Sequence, residues 1–117
     1  MTTTHDPIDF ICGDRWSITG SLGDQDGNPL NMSTVLDIIW KLDSLDNTKN
    51  ALTLSFSEGG INILDEVNAI IEVAPSAAQT LALPPGTYLD WLQVSVNDGT
   101  GPYTEWTGAI RAAPAPA

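Results

Sequence analysis

The stretch Thr87-Tyr-Leu-Asp-Trp-Leu-Gln-Val-Ser-Val96 decides the fold, because its side chains alternate with a period of two. One side carries Tyr88, Leu92, Val94 and Val96, and the other carries Leu89, Trp91, Gln93 and Ser95. Such alternation is typical of a β-strand with one buried face. The stretch therefore predicts the longest strand of the protein. Asp90 falls on the apolar side, where nothing in the sequence explains it.

A second alternating stretch runs from Tyr103 to about Ala112. Its faces are Trp106, Gly108 and Ile110 on one side, and Glu105, Thr107, Ala109 and Arg111 on the other. The residues between the two stretches, Asn97-Asp-Gly-Thr-Gly-Pro102, are rich in turn-forming residues. The two strands are therefore predicted to pair with each other.

Shorter alternating segments precede this pair. They cover residues 15–22, 36–43, 52–56, 61–63 and 69–73. In the first segment, Gly20 marks a bend or a close approach of another group. The apolar face of the second consists of Leu36, Ile38, Trp40 and Leu42. The Glu58-Gly-Gly60 turn predicts that the third and fourth segments form a hairpin-like pair.

These elements predict an all-β fold. About seven to eight short strands, separated by turns every 8 to 12 residues, are typical of an antiparallel, immunoglobulin-like β-sandwich. Trp16 and Trp40 lie on apolar strand faces and are predicted to be core residues. Only residues 76–81 have helical character, so the fold is predicted to contain at most one short helical turn there.

Chain length predicts one domain, since 117 residues are too few for two cores of normal size. Residues 1–7 are polar and are predicted to be a flexible N-terminal extension. Residues 8–112 are predicted to form the β-sandwich domain. Residues 113–117 are predicted to be an Ala/Pro tail.

The charge balance excludes some partners. The formal net charge is −11, with 15 acidic residues against four basic ones. Nucleic-acid phosphates and anionic membrane surfaces need clustered Lys and Arg, so neither is an expected partner. The first residues lack the basic and apolar regions of a signal peptide, and no apolar run is long enough to span a bilayer. We therefore expect the protein to be made in the cytoplasm.

The residues offer little for catalysis or for a cofactor. Cys12 is the only cysteine and is predicted to be a small buried apolar residue, and His5 is the only histidine. The carboxylate pairs Asp43/Asp46 and Asp65/Glu66 lie in predicted turns, where acids are normally solvated. We predict no enzymatic activity and no cofactor.

The segment from Asp24 to Asn28 resembles the first half of a calcium-binding loop. The bidentate acid that such a loop needs further along is missing, because residues 32–36 offer only hydroxyl groups. A plain β-turn, in which Asp and Asn side chains bond their own backbone, is the preferred interpretation.

Several apolar side chains fall on nominally outer strand faces, among them Leu89, Trp91 and Ile39. In one interpretation the strand register is wrong by one, and these residues belong to the core. In another they form a contact between subunits, since interfaces are enriched in Trp and Tyr. A third is a platform that stacks sugars on exposed aromatic rings. The core interpretation is preferred from the residues alone.

The order of motifs along the chain resembles a known group of proteins. These motifs are the segment Ile8-Asp-Phe-Ile-Cys-Gly13-Asp14-Arg-Trp16, then Gly20-x-Leu22-x-Asp24-x-Asp-Gly27-Asn-Pro29-Leu30, then Ile39-Trp40-Lys-Leu42, then Gly60-Ile61-x-Ile63, then Leu83-Pro-Pro-Gly86-x-Tyr88. Together they resemble small phage and prophage structural proteins, in particular the immunoglobulin-like N-terminal domain of upper baseplate proteins. The resemblance covers about residues 8–111.

The resemblance implies a non-enzymatic virion protein of a phage or prophage, in the tail, baseplate or neck, that acts by self-association and docking. It implies a homo-oligomer, for example a trimer, that also binds other virion proteins. The candidate oligomer contact residues are Leu89, Trp91, Tyr103 and Trp106. A carbohydrate- or ligand-binding β-sandwich module is the alternative function.

Overall fold

The protein is an all-β sandwich of two sheets. Its structure, a computed structural model, describes residues 3–24, 26–45, 49–97 and 101–115. Within these ranges the strands are β1 Thr3–Thr4, β2 Ile8–Ile11, β3 Ile18–Ser21, β4 Val35–Ser44, β5 Asn50–Ser55, β6 Ile61–Asp65, β7 Ile70–Val73, β8 Gly86–Val96 and β9 Tyr103–Ala113. A 3₁₀ helix covers Met32–Thr34, and the α-helix α1 covers Ala77–Leu81. The fold class predicted from alternation is confirmed.

The larger sheet has the strand order β1-β9-β8-β4-β5, with β2 also paired to β9. The smaller sheet has the order β3-β7-β6. The predicted pairing of the two longest strands is confirmed, since β8 and β9 run antiparallel with Leu92 opposite Trp106. Of the turn predicted between them, Asp98 and Gly99 lie outside the described residues.

The core lies between the two sheets. Its fully buried side chains include Trp40, Ile38, Leu42, Leu92, Ile71 and Val73. Trp16 is half-buried and stands 5.8 Å from Trp40, measured between ring centroids. Cys12 is buried, as predicted. Gly20 is a close-approach site, because a Cβ at this position would lie 2.6 Å from the ring of Trp106 on the opposite sheet.

The helix α1 follows β7, and its position agrees with the predicted helical turn at 76–81. Ser76 and Gln79 form a capping box at its N-terminus. The buried hydroxyl of Thr80 donates to the backbone oxygen of Asp14 over 2.8 Å and accepts from the backbone N–H of Gly13 over 3.1 Å. In the described part of the chain, neither helix is long or apolar enough to cross a membrane.

The predicted hairpin between residues 52–56 and 61–63 is wrong. β5 belongs to the larger sheet and β6 to the smaller one. The backbone N–H of Phe56 bonds to Ile38 of the larger sheet, and the chain then turns through Gly59, which has φ +92°. Gly60 follows in the connection between the two sheets, and a Cβ at this position would lie 2.9 Å from the Leu54 side chain.

The N-terminal segment differs from the extension predicted over residues 1–7. Thr3 and Thr4 pair in parallel with Trp106 and Thr107 of β9, and β2 pairs in parallel with the end of the same strand. The sandwich is therefore not purely antiparallel. The residues of this segment are polar and do not alternate with apolar ones. Their backbone nevertheless pairs with the edge of β9 that β8 leaves free. Residues 1 and 2 lie outside the described part.

Bulges interrupt the alternation at several places. Between Val35 and Asp37 the register of β4 against β8 shifts by one residue. Leu36 is the extra residue, and it is 66% exposed, so its predicted place on the apolar face is wrong. A bulge places two neighbouring residues against one partner, which a strict period of two cannot represent.

Candidate functional site

The carboxylate of Asp90 is the most enclosed polar group of the larger sheet. Asp90 lies on β8, opposite Leu42 of β4 and Gly108 of β9, and it is completely buried. The indole N–H groups of Trp40 and Trp106 donate to its Oδ2 over 2.9 and 3.1 Å. A buried carboxylate needs hydrogen-bond donors, and these two core tryptophans provide them. The bonds explain why Asp90 lies on the apolar face of β8, which the sequence pattern did not explain.

His5 provides the third partner of this carboxylate. Its Nε2 lies 2.6 Å from Oδ1 of Asp90, and its Nδ1 lies 2.7 Å from the backbone oxygen of Asp6. A carbonyl oxygen only accepts, so the bond to Asp6 requires a proton on Nδ1. The imidazole is thereby held at both nitrogens.

Gly108 makes this contact possible. His5 follows β1, and its ring passes over β9 to reach Asp90, which stands opposite Gly108 in the register. A Cβ built on Gly108 would overlap the imidazole of His5. Only glycine leaves room for the ring, and no local sequence pattern distinguishes this glycine from one that marks a bend.

This cluster of His5, Asp90, Trp40 and Trp106 holds the N-terminal segment on the larger sheet. Asp90 has no exposed surface, and each of its oxygens already has a hydrogen-bond partner. In the part of the chain that the structure describes, no group of three or more His, Cys, Asp or Glu side chains could hold a metal ion. The cluster is a polar network inside the core.

The four candidate contact residues do not share one surface. Leu89 and Trp91 are half-buried on the face of β8 that points away from the sandwich. Trp106 is only 6% exposed and bonds to Asp90, and the Tyr103 hydroxyl donates to Gly23 over 3.4 Å. Trp106 and Tyr103 are therefore directed inward. The oligomer contact itself stays a prediction.

A β-bulge explains why an odd and an even residue of β9 face the same way. Leu92 stands opposite Trp106, but Gln93 stands opposite Thr104, so Glu105 is an extra residue. Tyr103 is thus shifted to the side of Trp106.

A shallow depression of about 470 Å³ lies next to the outward residues of β8. It is lined in part by Leu89, Trp91 and Ala109, together with Thr4 and Pro7 of the N-terminal segment. The Nε1 of Trp91 is buried without a hydrogen-bond partner among the described residues. Trp91 is not part of the core, so the interpretation that places it in the core is wrong.

Glu105 is a buried acid that the sequence reading missed. It is 7% exposed, and Oε1 accepts from the backbone N–H of Gly23 over 3.3 Å. Oε2 is buried and has no partner among the described residues. Burial raises the pKa of Glu105 above its ordinary value, and the bond from Gly23 opposes this rise in part. Alternation placed Glu105 on the outer face, and only the bulge turns it inward.

The acids of the suspected calcium loop form a turn. Oδ1 of Asp24 accepts from the backbone N–H groups of Asp26 and Asn28, both over 2.9 Å. Gly27 has φ +83°, a conformation that favours glycine. The β-turn interpretation is confirmed by these bonds, while Gln25 lies outside the described residues.

Of the remaining carboxylate pairs, Asp43 lies within β4, so its predicted position in a turn is wrong, and Asp65 ends β6 where the next turn begins. Asp65 accepts from the side chain of Asn68 over 2.8 Å, which together with the backbone bond from Asn68 lowers the pKa of Asp65. Its neighbour Glu66 is exposed. Asp43 accepts from the Asn50 side chain over 3.0 Å, and Asp46 lies outside the described residues.

Comparisons with known proteins give a fold but no family. No protein-family model matches this chain. No curated protein matches it either. The information therefore comes from solved structures.

The N-terminal domain of ORF48 from phage TP901-1 has this fold. Its TM-score is 0.55 at 11% identity, and the match covers 99% of this chain and 100% of that domain. An endo-β-1,4-mannanase from Thermotoga petrophila matches with a TM-score of 0.53 at 11% identity, covering 93% of this chain. This chain spans only 17% of the mannanase. At 11% identity both likenesses show the fold alone. The predicted resemblance to a phage N-terminal domain is therefore confirmed for the fold only.

Proposed function

We propose that this chain is a structural component of a phage or prophage virion, located in the tail, baseplate or neck. It acts by self-association and docking, without catalysis and without a cofactor. The observation that supports this most is the likeness to a phage N-terminal domain over 99% of this chain and all of that domain. The motif order over residues 8–111 points in the same direction, and the baseplate as a location rests on that resemblance.

The outer face of β8 and β9 supports self-association. Leu89 lies opposite Ala109, and Trp91 lies opposite Thr107, so their side chains form one half-buried patch. A partner that covers the half-buried Trp91 would remove apolar surface from water. The proposed assembly is a closed homo-oligomer such as a trimer, because a closed ring repeats the same contact between neighbouring subunits without forming fibres.

The virion role is tested by analysing phage particles. Particles purified on a density gradient from the host that carries this gene should contain peptides of this chain, detected by mass spectrometry. Their ratio to the other tail proteins should be constant between preparations. A chain that remains entirely in the host lysate, away from the particles, would contradict the proposed role.

Self-association is tested by light scattering coupled to size-exclusion chromatography. The full chain should elute with the mass of an oligomer, and Trp91→Ser should shift it to the monomer. Leu81→Ser is the matched control, because Leu81 is 61% exposed on α1. This control should leave the mass unchanged. A monomeric wild-type chain at high concentration would rule out self-association.

A further inference from the structure

The free edge of β6 is a surface distinct from the patch on β8 and β9. β6 is the last strand of the smaller sheet, and within the described residues it pairs only with β7. Unpaired edge strands present backbone donors and acceptors to which another strand can add.

The alternation of hydrogen-bonded and non-bonded pairs shows which residues of β6 present these groups. The backbone N–H of Leu22 bonds to Ala69, so by the register Ile71 and Val73 bond toward β3. In an antiparallel ladder, bonded and non-bonded pairs alternate. The partners of these residues on β6, Ile63 and Ile61, therefore direct their N–H and C=O groups away from β7.

The N–H of Ala74 gives the same result independently. It bonds to the backbone oxygen of Gly60 over 3.4 Å, which makes Gly60 and Ala74 a bonded pair. The next pair along β6, Ile61 with Val73, is then a non-bonded pair.

The side chains at this edge are apolar and uncovered. Ile63 lies on the core face, opposite the fully buried Ile71, yet it is 36% exposed because no strand lies beyond it. Leu64 and Val67 are 54% and 83% exposed. A strand added along β6 would cover Ile63 and the nearby Leu64.

The charges near this edge define the partner. Glu58 precedes β6, Asp65 ends it, and Glu66 follows it. The sequence contains no Lys, Arg or His between Lys49 and Arg111. A second copy would bring the same acids to the edge, so pairing between two β6 strands is disfavoured. A strand with Lys or Arg at its ends is favoured.

We propose that the edge of β6 binds an extended segment of another protein, which adds as a fourth strand to the smaller sheet. This segment alternates β-branched residues with polar ones and carries Lys or Arg at both ends. The site is short, since the bulge at Leu64 ends the regular edge after Ile63. The inference goes beyond the proposed function, because it rests on the β6 edge and holds whether or not the chain is part of a virion.

A labelled synthetic peptide tests this proposal on the full chain. The probe is Lys-Lys-Thr-Val-Thr-Val-Thr-Lys-Lys, and binding is followed by fluorescence anisotropy at low salt. Hydrogen exchange of the Ile61 and Ile63 amides should slow when this peptide binds. A peptide with Glu in place of each Lys, and one with N-methyl groups on alternate residues, should each bind about tenfold more weakly or not at all.

Two variants of the protein locate the binding site. Leu64→Lys should weaken binding of the probe about tenfold. Leu81→Lys adds the same charge to a comparably exposed leucine on α1, and it should change the affinity by less than about twofold. Both variants should keep the wild-type circular dichroism spectrum.

Some results would overturn the proposal. These are no binding of the lysine peptide, an equal loss in both variants, or protection of amides on another edge. Protection of Ile61 and Ile63 that rises with protein concentration in the absence of peptide would assign the edge to a second copy instead.

Discussion

Two buried carboxylates on neighbouring strands have opposite surroundings. Asp90, in the middle of the larger sheet, receives one contact from His5 and one bond from each of two tryptophans. Glu105, at a bulge in β9, receives one bond from Gly23, and its Oε2 has no partner among the described residues. Both side chains are removed from water, but only that of Asp90 has a hydrogen-bond partner at both of its oxygens.

The difference shows that burial and hydrogen bonding have separate effects on the stability of a polar group. A fully bonded acid fixes the positions of its donors, and its loss leaves those donors unpaired. When a buried acid has too few hydrogen bonds, burial raises its pKa, and its ionised form lowers the free energy of unfolding. The first is expected to stabilise this fold, and the second to destabilise it near neutral pH.

The largest expected effect is that of removing Asp90. Asp90→Ala leaves the indole N–H groups of Trp40 and Trp106 without their acceptor and the imidazole of His5 without its partner, and it should lower the free energy of unfolding by about 3–5 kcal/mol. Urea denaturation followed by tryptophan fluorescence measures this loss. Asp90→Asn keeps the volume and one acceptor oxygen, so its loss should be smaller. Equal losses in the two variants would contradict the network.

The next effect tests how His5 reaches Asp90. Gly108→Ala places a methyl group where the imidazole lies, and it should lower the free energy of unfolding by about 1–3 kcal/mol. In a chain that already carries His5→Ala, the cost of the same substitution should fall to about 0.5 kcal/mol or less. This double-mutant cycle is measured by urea denaturation. Equal costs in both backgrounds would show that Gly108 is needed for another reason.

The third effect concerns Glu105 and should have the opposite sign. Glu105→Gln removes a buried charge and keeps an acceptor for Gly23, so it should raise the free energy of unfolding at neutral pH by about 1 kcal/mol. The pKa of Glu105 is raised in the folded state, so its favourable contribution is complete below the unfolded value and is lost as pH rises through the folded value. The gain from Glu105→Gln should therefore be small in acid and grow toward neutral pH.

Thermal unfolding of wild type and Glu105→Gln between about pH 3 and 8 measures this gain. Glu58→Gln, at an exposed glutamate, is the control and should show no such pH dependence. A gain that shrinks from acid to neutral pH would exclude the assigned role of the buried charge.

The smallest effect is expected at an exposed acid whose donors come from its own turn. The pKa of Asp65 is lowered by Asn68, so its contribution to stability is present above the unfolded value of 3.8 and is lost as pH falls through the folded value. Asp65→Ala should lower the melting temperature slightly at neutral pH and not at all in strong acid. Glu66→Ala serves as the control. A loss at Asp65 as large as that at Asp90 would contradict the comparison.

Sequence reasoning succeeded where alternation is unbroken. The face of β8 that contains Tyr88, Leu92 and Val94 is buried as predicted, and the pairing of β8 with β9 follows from the turn between them. The capped helix at 77–81 also appears where its short polar signal indicated. These features depend on neighbours in the chain, so local patterns are sufficient to find them.

Sequence reasoning failed where one strand has an extra residue relative to its partner, and where the chain passes from one sheet to the other. Leu36 and Glu105 each occupy a bulge and lie on the side opposite to the predicted one. The connection from β5 to β6 looks like a hairpin turn but joins two sheets. The polar N-terminal segment showed no signal, because its partners on β9 are about 100 residues away.

The amino-acid sequence by itself determined the class of the fold, because a period of two and frequent turn residues leave few alternatives to a β-sandwich. Tertiary structure alone decided which acid is satisfied and which is not. Asp90 obtains its hydrogen-bond partners from β4, from β9 and from the N-terminal segment, and Glu105 is turned inward by a bulge against β8. These contacts join residues far apart in the chain, and their geometry exists only once the strands are in register.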